Sequence, residues 1–303
     1  MNNSCSPSFS RRTFLAISGA IPAAFAARAS AAETSREPAV PQPAGAKQYP
    51  IGLELYSVRD ELARDLAATL RAVAQDGYQV VEFYAPYFQW TPPYAKEVRA
   101  QLDDLGLRCY STHNGFASFA PGKHMAHAIE LNQILGTRYI VLASAPGSTR
   151  GVEGWKRLCD HLTTAVEELK PHGLGAGYHN HQAEWARLGN GQRILELVAA
   201  NTPKDFVLQL DVGTCEEAGA DPVAWVKANP GRIKVMHLKD WAPSKGYRVL
   251  FGEGVTPWRK LIAAAESVGG AEYFLIEQEG SRFPELETAK RCLENWRAMF
   301  GRA

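Results

Sequence analysis

A regular alternation of short apolar segments with longer amphipathic ones is the feature that most constrains how this chain can fold. The apolar segments predict β-strands, and they cover residues 51–55, 79–83, 107–112, 138–143, 174–179, 206–211, 232–238 and 273–277. Hydrophobic residues between them recur at helical spacing, as Leu62, Leu66 and Leu70 do within residues 60–75. The same spacing predicts helices over residues 95–105, 123–135, 153–170, 191–200, 221–228, 256–268 and 284–300.

Eight β-then-α units in succession predict an α/β fold, a single (β/α)8 TIM barrel over residues 49–303. Gly77, Gly106, Gly136 and Gly173 follow predicted helices, as glycines that cap helix C-termini do. A doubly wound open sheet is the alternative, and it often carries a G-x-G-x-x-G sequence after its first strand. Here the first strand is followed by YSVRD, so the closed barrel is favoured.

The N-terminal residues predict an export signal rather than part of the fold. Residues 10–15 read SRRTFL, and the apolar run after them ends in small residues, which predicts a twin-arginine signal peptide over residues 1–31. The run over residues 13–27 is too short to predict a stable membrane anchor. Residues 32–48 are polar and rich in Pro and Ala, which predicts a flexible leader. We therefore expect export by the twin-arginine machinery and a periplasmic location.

Charge and cysteine content exclude some classes of partner. The formal net charge is +1 and no basic block is present, which argues against a nucleic-acid partner. Cys109, Cys159, Cys215 and Cys292 are scattered without a C-x-x-C pair, so they are predicted to be isolated core thiols. A homo-oligomer is left open.

Ionisable residues stand at the ends of nearly all the predicted strands. The C-terminal strand ends of such a barrel meet on one face, where active sites form. Polar side chains gathered there must be hydrated, paired or used in chemistry. The residues concerned are Glu54, Glu82, His113, His179, Asp211, His237, Lys239 and Glu277.

Four of these side chains form a plausible metal shell. His179, Asp211, His237 and Glu277 come from four consecutive predicted strands and can point to one axis. Two imidazoles and two carboxylates suit Mn²⁺, Zn²⁺, Co²⁺ or Fe²⁺ better than Ca²⁺. Such a shell leaves a coordination position open for a substrate oxygen.

Several stretches together resemble the xylose isomerase-like family of sugar isomerases and epimerases, which also includes endonuclease IV-type barrels. They are GLELYSVRD, YHNHQAEW, LQLDVGTCEEAGADP, VMHLKD, FGEGVTPW and LIEQE, and they span residues 50–280. The resemblance implies a divalent metal, Mn²⁺ first, held by residues of strands 5 to 8. Asp211, His237 and Glu277 match the family residue by residue. At strand 5 the family commonly has Glu, whereas this chain has His179, which we prefer as ligand over Glu184 in the loop.

The resemblance also implies enolisation of a hydroxy-ketone. Glu277 is then a metal ligand and a candidate base, Glu184 and His181 are candidates for the other face, and Lys239 would neutralise the developing oxyanion. The residues expected to contact substrate are Glu54, Glu82, His113, Trp185 and Glu253.

These observations favour a divalent-metal sugar isomerase or epimerase that acts through an enediolate on an unphosphorylated sugar or keto-sugar derivative. The loops after strands 7 and 8 lack a glycine-rich phosphate nest, which argues against a phosphosugar. A keto-glycoside lyase or hydrolase using the same site is one alternative, and a non-catalytic carbohydrate-binding barrel is another. An abasic-site endonuclease is disfavoured by the near-neutral charge and the export signal.

Overall fold

The computed structural model of the protein describes residues 49–301, and within them the predicted closed barrel is confirmed. The predicted signal peptide, residues 1–31, and leader, residues 32–48, lie outside the described residues. Parallel strands pair in sequence order, and β1 pairs with β8 to close the barrel. The strands are β1 Ile51–Glu54, β2 Val80–Phe83, β3 Arg108–Asn114, β4 Tyr139–Leu142, β5 Gly175–His179, β6 Val207–Asp211, β7 Val235–Leu238 and β8 Tyr273–Ile276.

Helices surround the barrel at the places where helical spacing predicts them, with two differences. They are α1 Arg59–Arg64, α2 Leu66–Asp76, α3 Pro92–Asp104, α4 Lys123–Leu135, α5 Gly151–Leu169, α6 Ile194–Ala200, α7 Val212–Glu217, α8 Pro222–Ala228, α9 Trp258–Ala264 and α10 Glu285–Phe300. The helix predicted over residues 60–75 is divided at Asp65, whose carboxylate accepts from the Ala68 N–H and caps α2. Helix α7 was not predicted, because it begins directly at the end of β6 with Asp211 as its cap.

Alternation along the strands separates the two faces of the barrel wall. In β8, Phe274 and Ile276 belong to the main core between strands and helices, whereas Tyr273 and Leu275 belong to a second cluster with Val80 and Val235. Successive side chains of a strand point to opposite faces, so the second cluster lines the barrel interior. Polar residues follow it two positions further along each strand, as Glu82, His237 and Glu277. The interior is therefore apolar in its lower part and ionisable at the C-terminal mouth.

A glycine makes room in this interior. A Cβ atom on Gly52 would lie 2.5 Å from the Val80 carbonyl oxygen and 2.6 Å from Leu275 Cδ2. The residue two positions later on the same face of β1 is Glu54, one of the ionisable groups of the mouth.

The described residues confirm the prediction for the cysteines. Cys109, Cys159, Cys215 and Cys292 are buried free thiols, as predicted. Of the helices in residues 49–301, not one combines the length and the apolar character that crossing a bilayer requires.

Candidate active site and metal centre

Strand register brings the ionisable residues of the mouth to one level. Glu54 pairs with Glu82 across β1 and β2, and Asp211 pairs with His237 across β6 and β7. These four side chains have no solvent exposure. They can therefore be stable only through hydrogen bonds, ion pairs or a bound ion.

His237 lies between two carboxylates. Its Nδ1 is 2.6 Å from Glu277 Oε2, and its Nε2 is 2.7 Å from Glu82 Oε1. Burial lowers the pKa of His237, but the charges of Glu82 and Glu277 outweigh burial and hold it well above its usual value. Both ring nitrogens consequently carry protons and donate, so His237 is an imidazolium in the metal-free protein.

Lys239 supplies the second buried cation of the mouth. Its Nζ lies 3.3 Å from Asp211 Oδ2 and 3.4 Å from Glu277 Oε1, and it also contacts Glu279. Burial lowers the pKa of Lys239, but these carboxylates outweigh burial and raise it well above its usual value. The positive charges of Lys239 and His237 overcome burial at Glu277 and hold its pKa well below the usual range. Lys239 is thus a fixed positive charge and Glu277 a fixed negative one.

Three of the four predicted metal ligands form a compact donor group. One ligand atom each of His179, Asp211 and Glu277 lies within 4.8 Å of the other two. One nitrogen and two carboxylate oxygens suit Mn²⁺, Zn²⁺, Co²⁺ or Fe²⁺. Burial raises the pKa of Asp211, and the Glu277 charge adds to that effect while Lys239 opposes it. A cation between these side chains would relieve that repulsion, so the residues present fit a divalent metal.

His237, the fourth predicted ligand, belongs to a different group. Its nitrogens are committed to Glu82 and Glu277, and it clusters with His113 and His179 within 4.8 Å. Lys239 contacts both carboxylates of the donor group, so a bound ion would share Asp211 and Glu277 with the Lys239 ammonium.

Glu82, His113 and Glu54 meet on the opposite side of the mouth and could also hold an ion by distance alone. Glu82 is already saturated, since Ser111, Gln209, His237 and His113 all contact its oxygens. Burial raises the pKa of Glu82, but the charges of His113 and His237 outweigh burial and lower it. Glu82 is therefore an ionised anchor for the histidines.

Glu54 differs from Glu82 in its surroundings. Its Oε2 accepts from the Tyr56 N–H at 2.8 Å, while its buried Oε1 has no hydrogen-bond partner. Burial and the charge of Glu277 raise the pKa of Glu54 well above its usual value. The surroundings of Glu54 therefore favour its neutral, protonated form.

The YHNHQAEW stretch places Glu184 and His181 differently from one another. Glu184 is buried, and its oxygens accept from the Tyr178 hydroxyl at 2.7 Å and from the His181 N–H at 2.9 Å. His181 is half-buried, with its ring centroid 4.9 Å from that of His179. Glu184 thus shapes the short helical turn Gln182–Trp185, and the imidazole of His181 lies beside the donor group.

Two residues expected to bind substrate make contacts of another kind. Trp185 is buried in the hydrophobic core, where its ring packs edge-on against Trp225 at 5.3 Å. Glu253 forms a two-pronged ion pair with Arg282, at 2.6 and 2.8 Å. The turn that carries Trp185 directs its ring inward, and the pairing with Arg282 occupies both oxygens of Glu253. That Trp185 and Glu253 contact a sugar stays a prediction.

Sequence reasoning did not single out three polar residues that the structure places in or around the mouth. Gln209 and Ser111 contact Glu82 directly. Asp240 anchors the loop of Gly252, Gly254 and Trp258 through hydrogen bonds of 2.8 to 3.0 Å. Gln209 could have been found from alternation, because it lies two residues before Asp211 on the same face of β6.

Comparison with known proteins gives a family match and several structural likenesses. A family model described as "Xylose isomerase-like TIM barrel" matches residues 70–299. Comparison with curated protein sequences gives no match.

Among similar solved structures is a sugar phosphate isomerase/epimerase from Parabacteroides distasonis. It is 23% identical with a TM-score of 0.72, over 84% of this chain and 96% of that one. A D-psicose 3-epimerase from Clostridium cellulolyticum is 14% identical with a TM-score of 0.65, over 82% of this chain and 99% of that one. A family 2 AP endonuclease from Brucella melitensis is 16% identical with a TM-score of 0.64, over 83% of this chain and 98% of that one. At these identities the likenesses show a shared fold.

Proposed function

The chain belongs to the xylose isomerase-like TIM barrel family, and we propose that it is a divalent-metal-dependent sugar isomerase or epimerase. We infer that it acts through an enediolate on an unphosphorylated sugar or keto-sugar derivative. Mn²⁺ is the proposed ion, with Zn²⁺, Co²⁺ and Fe²⁺ as alternatives.

The observation that carries this proposal is the buried donor group of His179, Asp211 and Glu277 at the mouth of the barrel. These side chains would hold the ion. When bound, it would act as a Lewis acid that polarises a substrate carbonyl. The fold places the group where active sites of such barrels form. The likeness in fold to solved sugar epimerases supports the same class of reaction.

Lys239 would stabilise negative charge that develops on the substrate oxygen. Its ammonium is held by Asp211, Glu277 and Glu279, and its raised pKa keeps it protonated. A fixed charge in a buried site stabilises an oxyanion without reorganisation of the surroundings.

His181 is the proposed base, with Glu277 on the other face. The depressed pKa of Glu277 makes it a good ligand and a weak resting base. His181 is half-buried beside His179, and its backbone N–H donates to Glu184 Oε2 at 2.9 Å. Its imidazole would remove the proton from the carbon next to the carbonyl, leaving the electron pair in the enediolate. Return of a proton to the former carbonyl carbon, with transfer of the hydroxyl proton to the former carbonyl oxygen, completes an isomerisation. Return of a proton to the opposite face of the first carbon completes an epimerisation.

The charge of the mouth supports an unphosphorylated substrate. The carboxylates of Glu82, Asp211, Glu277 and Glu279 surround the two cations Lys239 and His237. A phosphate dianion beside these groups would meet like charge.

Exchange of carbon-bound hydrogen with D₂O tests the reaction class. Mn²⁺-loaded protein is incubated with a panel of ketoses and keto-sugars, free and phosphorylated, and deuterium incorporation is followed by NMR. We expect exchange into unphosphorylated sugars, and a loss of about 10²–10⁴-fold in His181→Gln with Mn²⁺ still bound. Asp103→Asn, which removes an exposed ion pair with Arg108 at the N-terminal end of β3, is the matched control. Exchange confined to phosphosugars would refute the substrate class, and no exchange into any sugar would refute the reaction class.

We also propose export to the periplasm by the twin-arginine route, on the strength of Arg11 and Arg12 before the apolar run. Fractionation of cells that express the full chain tests this. Replacement of both arginines by lysine should retain the protein in the cytoplasm.

A further inference from the structure

Gln209 contacts two histidines of the mouth, His113 and His179, and their carboxylate anchor. Its side-chain oxygen lies 2.7 Å from His113 Nε2 and 2.9 Å from His179 Nδ1. Its Nε2 donates to Glu82 Oε2 at 2.9 Å. The side chain is 1% exposed, so water does not compete for these bonds.

The orientation of the Gln209 amide is determined by Glu82. An ionised carboxylate is an acceptor only, so the NH₂ group of Gln209 must face it. The amide oxygen then faces the two imidazoles, and it has two lone pairs with which to accept from both. The reverse orientation would bring two acceptors, the amide oxygen and Glu82 Oε2, together in a buried place.

Each imidazole is thereby held in one tautomer. His179 must carry its proton on Nδ1, which leaves the lone pair on Nε2. That nitrogen lies 3.8 Å from Asp211 Oδ2, beyond hydrogen-bond distance. Two buried acceptors thus face each other across a gap that a cation would fill. His113 must carry its proton on Nε2, which leaves Nδ1 as its acceptor.

We propose that Gln209 is a positioning residue that presets the tautomer of His179 for metal binding, an inference that rests on the metal site of the proposed function. A histidine ligand generally donates its other ring N–H to a partner that fixes ring orientation and tautomer. Here that partner is a neutral amide, which is itself oriented by Glu82. The order of control runs from Glu82 through Gln209 to His179.

Nitrogen-15 NMR of the metal-free protein tests the assignment, because two-bond ¹⁵N–¹H spectra report histidine tautomers directly. The signals of His179 and His113 are assigned by their loss in His179→Asn and His113→Asn. We expect His179 as the Nδ1-protonated form and His113 as the Nε2-protonated form. In Gln209→Met, His179 should lose its single tautomer, and Mn²⁺ affinity measured by calorimetry should fall about 10–100-fold.

Gln278→Met is the matched control. Gln278 is equally buried, and its amide donates to the Tyr247 carbonyl instead of a histidine. This variant should lose a buried amide while keeping both tautomers and the Mn²⁺ affinity. The double variant Glu82→Gln, Gln209→Glu exchanges the two side chains. It gives position 209 an acceptor that faces the histidines and position 82 an amide that donates to that acceptor. It should recover the tautomers if Gln209→Met folds poorly.

Unchanged tautomers and unchanged Mn²⁺ affinity in Gln209→Met would overturn the assignment, as would equal losses in Gln278→Met. The role of Gln209 and the sugar reaction are tested by separate measurements. If the tautomers and affinity respond as stated while no sugar exchanges deuterium, the role of Gln209 stands and the proposed function fails.

Discussion

His237 bridges Glu277 and Glu82, with Nδ1 2.6 Å from Glu277 Oε2 and Nε2 2.7 Å from Glu82 Oε1. This buried imidazolium joins β7 to the carboxylates of β2 and of the β8 end. Its removal would leave two carboxylates inside the barrel with one fewer cation. Removing one partner of a buried ion pair destabilises the fold more than replacing both partners with apolar residues does.

We expect His237→Ala to lower the free energy of unfolding of the metal-free protein by about 3–5 kcal/mol. Urea denaturation at pH 6 measures this loss. The pKa of His237 is raised in the folded state, so its contribution is present below the usual imidazole pKa and fades as pH rises through the raised value. The difference between wild type and variant should therefore shrink at alkaline pH. A difference that grows with pH would contradict the imidazolium assignment.

Mn²⁺ affinity should depend more on the ligands Asp211 and Glu277 than on residues that only form a hydrogen bond to a ligand. Asp211→Asn and Glu277→Gln each remove an anionic oxygen donor from the group that includes His179. We expect Mn²⁺ affinity to fall by more than the roughly 10–100-fold that loss of a ligand's hydrogen-bond partner produces. Titration calorimetry and elemental analysis measure the loss, with Asp103→Asn as the unaffected control. Full Mn²⁺ occupancy in Asp211→Asn would contradict the proposed ligand set.

The strands and the ends that carry ionisable residues were predictable, because alternation and strand position are local properties of the sequence. The pattern of β8 placed Glu277 at the mouth just as the structure does. The hydrogen-bond or packing partner of each side chain was harder to predict from the sequence. Glu184 and Trp185 follow the same strand as His179, yet a short helical turn directs one to Tyr178 and the other to Trp225. Such choices depend on packing between elements distant in sequence.

The pairing of Glu253 with Arg282 should appear as a small acid-side stability effect. The hydrogen bonds from Arg282 are the main cause that lowers the pKa of Glu253, to about 2. A lowered pKa gives stability that is present above the usual glutamate pKa and is lost as pH falls toward the folded value. Both side chains are partly exposed, so we expect Glu253→Gln to cost only about 0.2–1 kcal/mol at neutral pH.

Thermal unfolding of Glu253→Gln and wild type between pH 7 and the acid limit of the fold measures this effect. The two curves should converge as the acid limit is approached, and 1 M salt should narrow their separation at pH 7. Deuterium exchange into sugars tests the predicted substrate contact of Glu253 in the same variant. A loss of exchange with nearly unchanged stability would support that contact, and exchange at the wild-type rate would contradict it.

The loop that follows β7 should be sensitive to a single methyl group at Gly254. Asp240 anchors this loop by accepting from the backbone of Gly254 at 3.0 Å and from Trp258 Nε1 at 2.9 Å. A Cβ on Gly254 would lie 2.0 Å from Asp240 Oδ1 and 2.3 Å from the Trp241 carbonyl oxygen, so the loop must shift. We expect Gly254→Ala to lower the free energy of unfolding by about 1–3 kcal/mol. Gly147→Ala is the matched control, because a Cβ there meets no atom within 4 Å, and it should stay within about 0.5 kcal/mol of wild type. Equal stability of the two variants in urea denaturation would contradict the expected steric conflict between a Cβ on Gly254 and Asp240.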